Sequence, residues 1–245
     1  MLRYLNYDFI DESLEKEKIE NSKEAEIVLE PNNKKCLFIL GMLFVKGIKI
    51  KILNEKDINL ENTNKSFSLM SYVWGKLSDN NFPNSTYSNI TNEIDNKIEN
   101  IKRLGVKVEK IINKVEDNKI FLICPVRNAN DNQRKWIEDY VSEKETEGYK
   151  VHAPHLHTRQ IDLFGGYSIC KQNAEAVASS SLVSIYYDKE SVGSVFDLGV
   201  AYALNKPINM LNKNEIEFND YEFTDCLIKN WPYEEEKKMK TLSRK

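Results

Sequence analysis

The sequence has no CxxC pair: its four cysteines, Cys36, Cys124, Cys170 and Cys226, are scattered and have no clustered histidines beside them. Isolated thiols of this kind serve as small buried hydrophobes, so neither a structural zinc nor a disulfide framework is expected. Neither charge is in marked excess, with 35 basic against 38 acidic side chains. The net charge of -3 withholds the basic face that a nucleic-acid binder needs. No apolar run approaches the roughly 20 residues of a membrane span. The opening MLRYLNYDFIDESLEKEK lacks the basic-then-apolar order of a signal peptide. These absences predict a soluble, cytoplasmic protein with no membrane and no nucleic-acid polymer among its partners. What is present, 41% hydrophobic residues in 245, suffices for one large or two small cores.

The second half of the chain alternates strand and helix signals. KIFLICP (119–125), YKVHAP (149–154), LVSIYYD (182–188) and INML (208–211) are short apolar runs bounded by polar residues. Between them fall a charged helical stretch (131–147), GYSICKQNAEAVASS (166–180) and the apolar SVFDLGVAYAL (194–204), which ends at Lys206-Pro207. Strands apolar on both faces and alternating with helices predict an α/β fold with a parallel sheet covered on both sides. Ligands in such sheets bind beyond the carboxyl ends of the strands, here loops 126–130, 154–166 and 188–194.

The first half repeats part of this grammar. Setting residues 12–54 on 170–212 without a gap gives nine identities in 43 positions: Glu17, Ser22, Ile27, Phe38, Leu40, Gly41, Ile50, Leu53 and Asn54. One register through helix, strand, helix and strand favours an internal duplication. The first copy lacks an obvious opening strand and helix, so it reads as degenerate and incomplete. The expected organisation is a half-copy over 1–75, a linker with an amphipathic helix over 76–118, a complete domain over 119–233 and a charged tail over 234–245. Within the linker, KLSDNNFPNSTYSN (76–89) is rich in turn residues, and Ile90, Ile94, Ile98, Ile101 and Leu104 recur at helical spacing up to Gly105. VKVEKII (106–112) fits a strand or a continuing helix.

The strongest chemical signal is DKESVGSVFDLGVAYALNKP (188–207). A strand ends at Asp188, Ser191, Gly193 and Ser194 form a small-residue loop, and an apolar helix begins. Small residues let a ligand approach backbone N–H groups, and a helix start favours an anion. Asp197 then sits in the first helical turn among Val195, Phe196, Leu198 and Val200, where a carboxylate is costly to bury unpaired. Facing a cleft, it is a candidate nucleophile or base. The competing reading is structural: Ser194-x-x-Asp197 also matches a capping box. The first copy has Ile39 where the second has Asp197, so the fold itself does not require an acid there.

KIFLICPVRN, GYKVHAP and LVSIYYDKESVGSVFDLGVAYALNKPI together resemble the nucleoside 2-deoxyribosyltransferase family over residues 119–212. The most specific part is the D-x-x-S-x-G-S-x-x-[acid]-x-G block followed by A-x-x-x-x-K-P. The resemblance implies a flavodoxin- or Rossmann-like parallel sheet and a carboxylate that attacks the anomeric carbon of a nucleoside or nucleotide. The covalent glycosyl-enzyme then passes to another base or to water. The family's nucleophile is usually Glu, and the matching Asp197 is one methylene shorter. Asp188 matches an acid that binds sugar hydroxyls or helps protonate the leaving base. Asn173 falls where many members carry Asp, and its amide could bind a ligand but not act as an acid. Arg127 and Asn128 match positions that contact the base or a phosphate, and His157, Thr158 and Gln160 fall on the loop over the nucleobase. A surface ion pair for Arg127 and an exposed polar loop for the others remain the alternatives. The resemblance also makes Asn230 and Trp231 of interest, since the family's C-terminal segment reaches a neighbouring subunit's site.

His152, His155 and His157 form an H-x-x-H-x-H pattern, but no Cys or acid lies close in sequence to complete a ligand set, and no metal or cofactor is expected. Tyr186, Tyr187, Tyr202, Trp74 and Trp231 read as core. The expected activity is N-glycosidic cleavage or transfer through Asp197, with a small nucleoside or nucleotide as partner. The first copy would stand in for a neighbouring subunit, and a homo-oligomer stays open. A non-catalytic nucleotide-binding protein and an NAD-glycohydrolase are the other readings.

Overall fold

Short apolar or alternating runs form parallel strands in both halves of the chain. The computed structural model describes every residue except 9–10, 55–66, 79–88, 104, 106, 127–128, 161, 163–165 and 234–245. The first half runs β1 (Leu2–Tyr4), α1 (Glu12–Glu20), β2 (Glu24–Ile27), α2 (Lys34–Val45), β3 (Lys49–Ile52) and α3 (Phe67–Ser78). After α4 (Asn89–Arg103) the second half runs β4 (Glu116–Ile123), α5 (Asp131–Thr146), β5 (Lys150–His152), α6 (Pro154–His157), α7 (Tyr167–Ser179), β6 (Ser180–Ile185), α8 (Val192–Ala203), β7 (Ile208–Met210) and α9 (Phe223–Lys229). The strands form two parallel sheets, ordered β1-β2-β3 and β5-β4-β6-β7. No helix among the described residues is long and apolar enough to cross a membrane.

The second sheet is covered on both faces, as its apolar strands require. Ile120 and Leu122 pack against Ile137, Tyr140 and Val141 of α5. Phe121, Ile123, Val183 and Ile185 point the other way, into a larger core that also holds α2, α8 and the first sheet. The first sheet buries one face only. Ala25, Ile27, Ile50 and Ile52 enter the core, while Glu24, Lys49 and Lys51 are exposed. Its open face carries a rung of charge: Arg3, Glu26 and Lys51 are in register across three strands, with Glu26 accepting from Arg3 at 2.8 Å and from Lys51 at 3.3 Å.

The two halves share their hydrogen-bonding plan at a constant spacing of 158 residues. β2 pairs β3 with Ala25 opposite Ile50 and Ile27 opposite Ile52; β6 pairs β7 with Val183 opposite Ile208 and Ile185 opposite Met210. Asn54 accepts from Leu29 N–H at 2.7 Å and donates to its carbonyl at 3.0 Å, and Asn212 does the same to Tyr187 at 2.9 and 2.9 Å. Each amide thus adds one more rung beyond its strand. After α2 and α8 the chain turns through left-handed Gly47 (φ 66°) and Asn205 (φ 55°), a conformation these two residue types adopt most readily. By the same correspondence β1 takes the place of β4. Among the described residues the first half has no counterpart of α5 and β5, and Glu24, Lys49 and Lys51 are exposed on the outer face of its sheet.

Past their first turns α2 and α8 are buried on every side, from Cys36 to Val45 and from Ser194 to Ala203, which suits their almost wholly apolar sequence there. They pack on each other at the centre of the molecule, Phe196 sits edge-on to Phe44, and Phe38 sits edge-on to Tyr202. One continuous core therefore joins the two halves.

Several expectations need correction. The first half does have an opening strand and helix, β1 and α1. β1 is only three residues long, and α1 is mostly charged with Ile19 as its buried apolar anchor, so neither carries a strong periodic signal. Residues 107–112 form neither strand nor helix; they run along the first half, where Ile111 N–H donates to the Val45 carbonyl. Lys76–Ser78 belong to the last turn of α3, and 79–88 of the expected linker lie outside the described residues, as does the tail 234–245. α4 forms as expected and buries Ile98. Of the aromatics, Trp74, Tyr187 and Tyr202 are buried, while Tyr186 and Trp231 are half-buried against the cores. Trp231 donates to the Lys206 carbonyl at 3.0 Å.

Candidate functional site

In the order β5-β4-β6-β7 the chain leaves β4 for one side of the sheet and returns to build the other side from β6. The carboxyl ends of β4 and β6 thus flank the switch point, where ligands of open parallel sheets bind. Three residues converge near it: Cys124 just past β4, Asn173 on α7, and Asp197 on α8.

α8 starts at Val192, two residues before the sequence-derived start, so Asp197 lies in its second turn rather than its first. The capping box does not form. Ser191 is the N-cap, its side chain makes no capping hydrogen bond, and the Ser194 hydroxyl donates to Ser191 Oγ at 2.8 Å. The corresponding helix α2 is closed at the same place: Asn33 accepts from Lys35 N–H at 3.0 Å and Cys36 N–H at 3.3 Å. Gly193 is exposed, and a Cβ added there would meet nothing within 4 Å.

Asp197 is only 7% exposed. Its hydrogen-bond partner among the described residues is Asn173, whose Nδ2 donates to Oδ2 at 3.5 Å, a long contact. Burial pushes the Asp197 carboxyl up to about 7, and the Asn173 amide opposes that shift by favouring the ionised form. The buried Cys124 thiol is pushed up to about 12, first by burial and then by the nearby Asp197. A carboxyl group titrating near neutrality can take up and release a proton under ordinary conditions, or attack as the anion.

Asn173 is itself held. Thr158 Oγ1 donates to its Oδ1 at 2.8 Å, and His152 Nε2 lies 2.9 Å from that same hydroxyl. His152 stacks on Phe121 and is pushed down to about 4, by burial first and then by His157 and Lys119. Asn173 and Thr158 are both expected site residues, and His152, which the sequence does not mark as one, joins them. No sequence spacing announces a contact of this kind.

The remaining expected residues have other settings. Asp188 is half-buried and closes its own turn, accepting from Glu190 N–H at 2.9 Å. His157 is exposed and its Nδ1 accepts from Ala153 N–H at 3.0 Å; Gln160 donates to the Pro154 and Thr158 carbonyls at 2.7 Å each. His155 and His157 belong to α6 rather than to an open loop, and both ring nitrogens of His155 are buried with no hydrogen-bond partner among the described residues. Arg127 and Asn128 lie outside the described residues. Asn230 is exposed and donates to the Cys226 carbonyl of its own helix.

Two cavities stand apart from this cluster. One of about 600 Å³ is an open hollow lined by Tyr187, Lys189 and residues 215–221, beside a buried Asp225 that accepts from Tyr187 at 2.6 Å and pairs with Lys189 at 2.9 Å. The other, about 190 Å³, lies between Phe44, Trp74, Tyr167 and the segment 107–113. Asp197 lines neither. Among known proteins, no family model matches the chain, and no curated protein or solved structure matches it significantly.

Proposed function

We propose that this chain cleaves or transfers the N-glycosidic bond of a nucleoside or nucleotide, with Asp197 as the attacking carboxylate. The observation that carries the reading is the state of Asp197: a buried acid at the sheet's switch point that neither caps its helix nor closes an ion pair among the described residues. A buried acid at such a point with neither role is a candidate functional position. In the proposed step a carboxylate oxygen of Asp197 bonds to the anomeric carbon while the carbon–nitrogen bond breaks and the base leaves with its electron pair. Asp188 would assist protonation of that base. Water or a second base then displaces Asp197 from the glycosyl ester. Arg127, Asn128, His157, Gln160 and the open start of α8 (Ser191, Gly193, Ser194) would bind the base, sugar and phosphate.

We further read the first half as a degenerate copy that serves as a built-in partner. The shared strand register, the paired Asn54 and Asn212 clasps and the left-handed turns at Gly47 and Asn205 support this. Ile39 stands where the second half has Asp197, and Asn33 closes the helix start that α8 leaves open.

A second reading, non-catalytic nucleotide binding, is favoured by the 7% exposure of Asp197 and by an amide rather than an acid at Asn173. The test is incubation with deoxynucleosides, deoxynucleotides and NAD, with free base followed by chromatography. Release that Asp197→Ala abolishes supports the enzyme. Tight binding without release supports the binding protein, and release from NAD alone makes the chain an NAD-glycohydrolase.

A further inference from the structure

We propose that Thr158 and His152 are positioning residues, which orient the Asn173 amide so that its N–H side, and not its carbonyl, faces Asp197. The proposal rests on Asp197 being the reacting group, and it names what prepares that group.

A primary amide offers two donors on nitrogen and two acceptor sites on oxygen, and turning it over exchanges the two at little steric cost. What fixes it must be a partner with a set polarity. Thr158 has one hydroxyl proton, and it is given to Asn173 Oδ1 at 2.8 Å. The contact of Thr158 Oγ1 with His152 Nε2 at 2.9 Å can then be satisfied only if His152 supplies the proton. With the amide placed this way round, His152 carries its hydrogen on Nε2 and the contacts run His152 N–H to Thr158, Thr158 O–H to Asn173, Asn173 N–H to Asp197 at 3.5 Å. Thr158 and Asn173 are both buried, and so are the contacts Thr158–Asn173 and Asn173–Asp197.

The reverse arrangement is also self-consistent. With its hydrogen on Nδ1, His152 would accept from Thr158, Thr158 would accept from the amide, and the Asn173 carbonyl would face Asp197. That arrangement suits a protonated carboxyl and opposes the anion, so chain direction and Asp197 ionisation are coupled. The titratable groups facing the two ends are the Cys124 thiol at Asp197, and His157 and Lys119 at His152.

Two measurements test this, and neither depends on turnover. In protein carrying ¹³C-labelled aspartate carboxyls, with Asp197→Asn to assign the signal, the Asp197 titration is compared in wild type, Thr158→Ser and Thr158→Val. Loss of the hydroxyl frees the amide to turn over, and the midpoint is expected to rise by about one pH unit in Thr158→Val, the scale of a single lost hydrogen bond to an anion. Thr158→Ser should titrate as wild type. Equal midpoints in all three proteins overturn the proposal. Imidazole ¹⁵N shifts of wild-type His152 at neutral pH supply a readout that needs no variant to fold: a hydrogen on Nε2 is expected, and one on Nδ1 overturns the chain's direction. Should wild type release no base from any nucleoside while Thr158→Val still shifts the titration, the enzymatic reading falls and the oriented chain stands.

Discussion

Gly41 and Gly199 each face the main chain of the other's helix. A methyl group on Gly199 would lie 2.0 Å from the Phe38 carbonyl oxygen, and one on Gly41 would lie 2.1 Å from that of Phe196. The contact is reciprocal, as across a two-fold axis: the partner of each glycine is the residue three positions before the other. Backbone meets backbone here because neither residue has a side chain.

Alanine at either glycine must push the helices apart. Helix propensity favours Ala over Gly by about 1 kcal/mol, but overpacking against a fixed backbone costs on the order of 3 kcal/mol. Gly199→Ala and Gly41→Ala should both lower the urea midpoint. Gly193→Ala, with open space around it and a negative φ, should leave the midpoint unchanged or raise it. A Gly199→Ala protein as stable as Gly193→Ala would show that the helices do not touch as described.

The asparagine clasps should be worth similar amounts in both halves. Asn212→Ala strands the buried N–H and C=O of Tyr187, and Asn54→Ala does the same to Leu29. Each loss should cost about 2 kcal/mol, read by chemical denaturation. A change below a few tenths in either half would remove the clasp from the account of the fold.

Removing the Asp197 charge should stabilise the protein at alkaline pH. The carboxyl titrates near 7 when folded and near 3.8 when unfolded, so between these values the folded state holds a proton that the unfolded state has released. Stability therefore falls as pH rises through that window and is level above it, by up to about 4 kcal/mol. Asp197→Asn should melt higher than wild type at pH 8 and close to it at pH 4. Identical melting curves at both would mean that the group is not buried as an ionisable acid.

Base release, if Asp197 attacks as the anion, should rise with pH and level off above about 7. Asp197→Ala should abolish it, while Asn173→Ala should move the rise to higher pH by removing the donor that favours the anion. A rate independent of pH between 5 and 8 would point to another group.

The second half was legible in the sequence because its central strands carry apolar runs packed on both faces, Ile120–Ile123 in β4 and Leu182–Ile185 around Ser184 in β6. The first sheet was harder to read, since its open face places Glu24, Glu26, Lys49 and Lys51 on alternate positions of β2 and β3. β1 was too short to register, and its partner β2 identifies it only in three dimensions. Asp197 was found, but its turn was not: Val192 and Gly193 open α8 without any propensity signal, which left Ser194-x-x-Asp197 looking like a cap. The chain from His152 to Asp197 joins β5, the end of α6, α7 and α8, and only the folded arrangement brings those elements together.

The crossing of α2 on α8 has a mechanical consequence. With no layer of side chains at its closest point, the seam has no slack to take up, so the N-terminal sheet acts as a fixed anvil behind the helix that carries Asp197. If the proposed function holds, a guest molecule reaching that carboxyl is expected to enter past the turns beyond the strands and not by parting α2 from α8 at this seam.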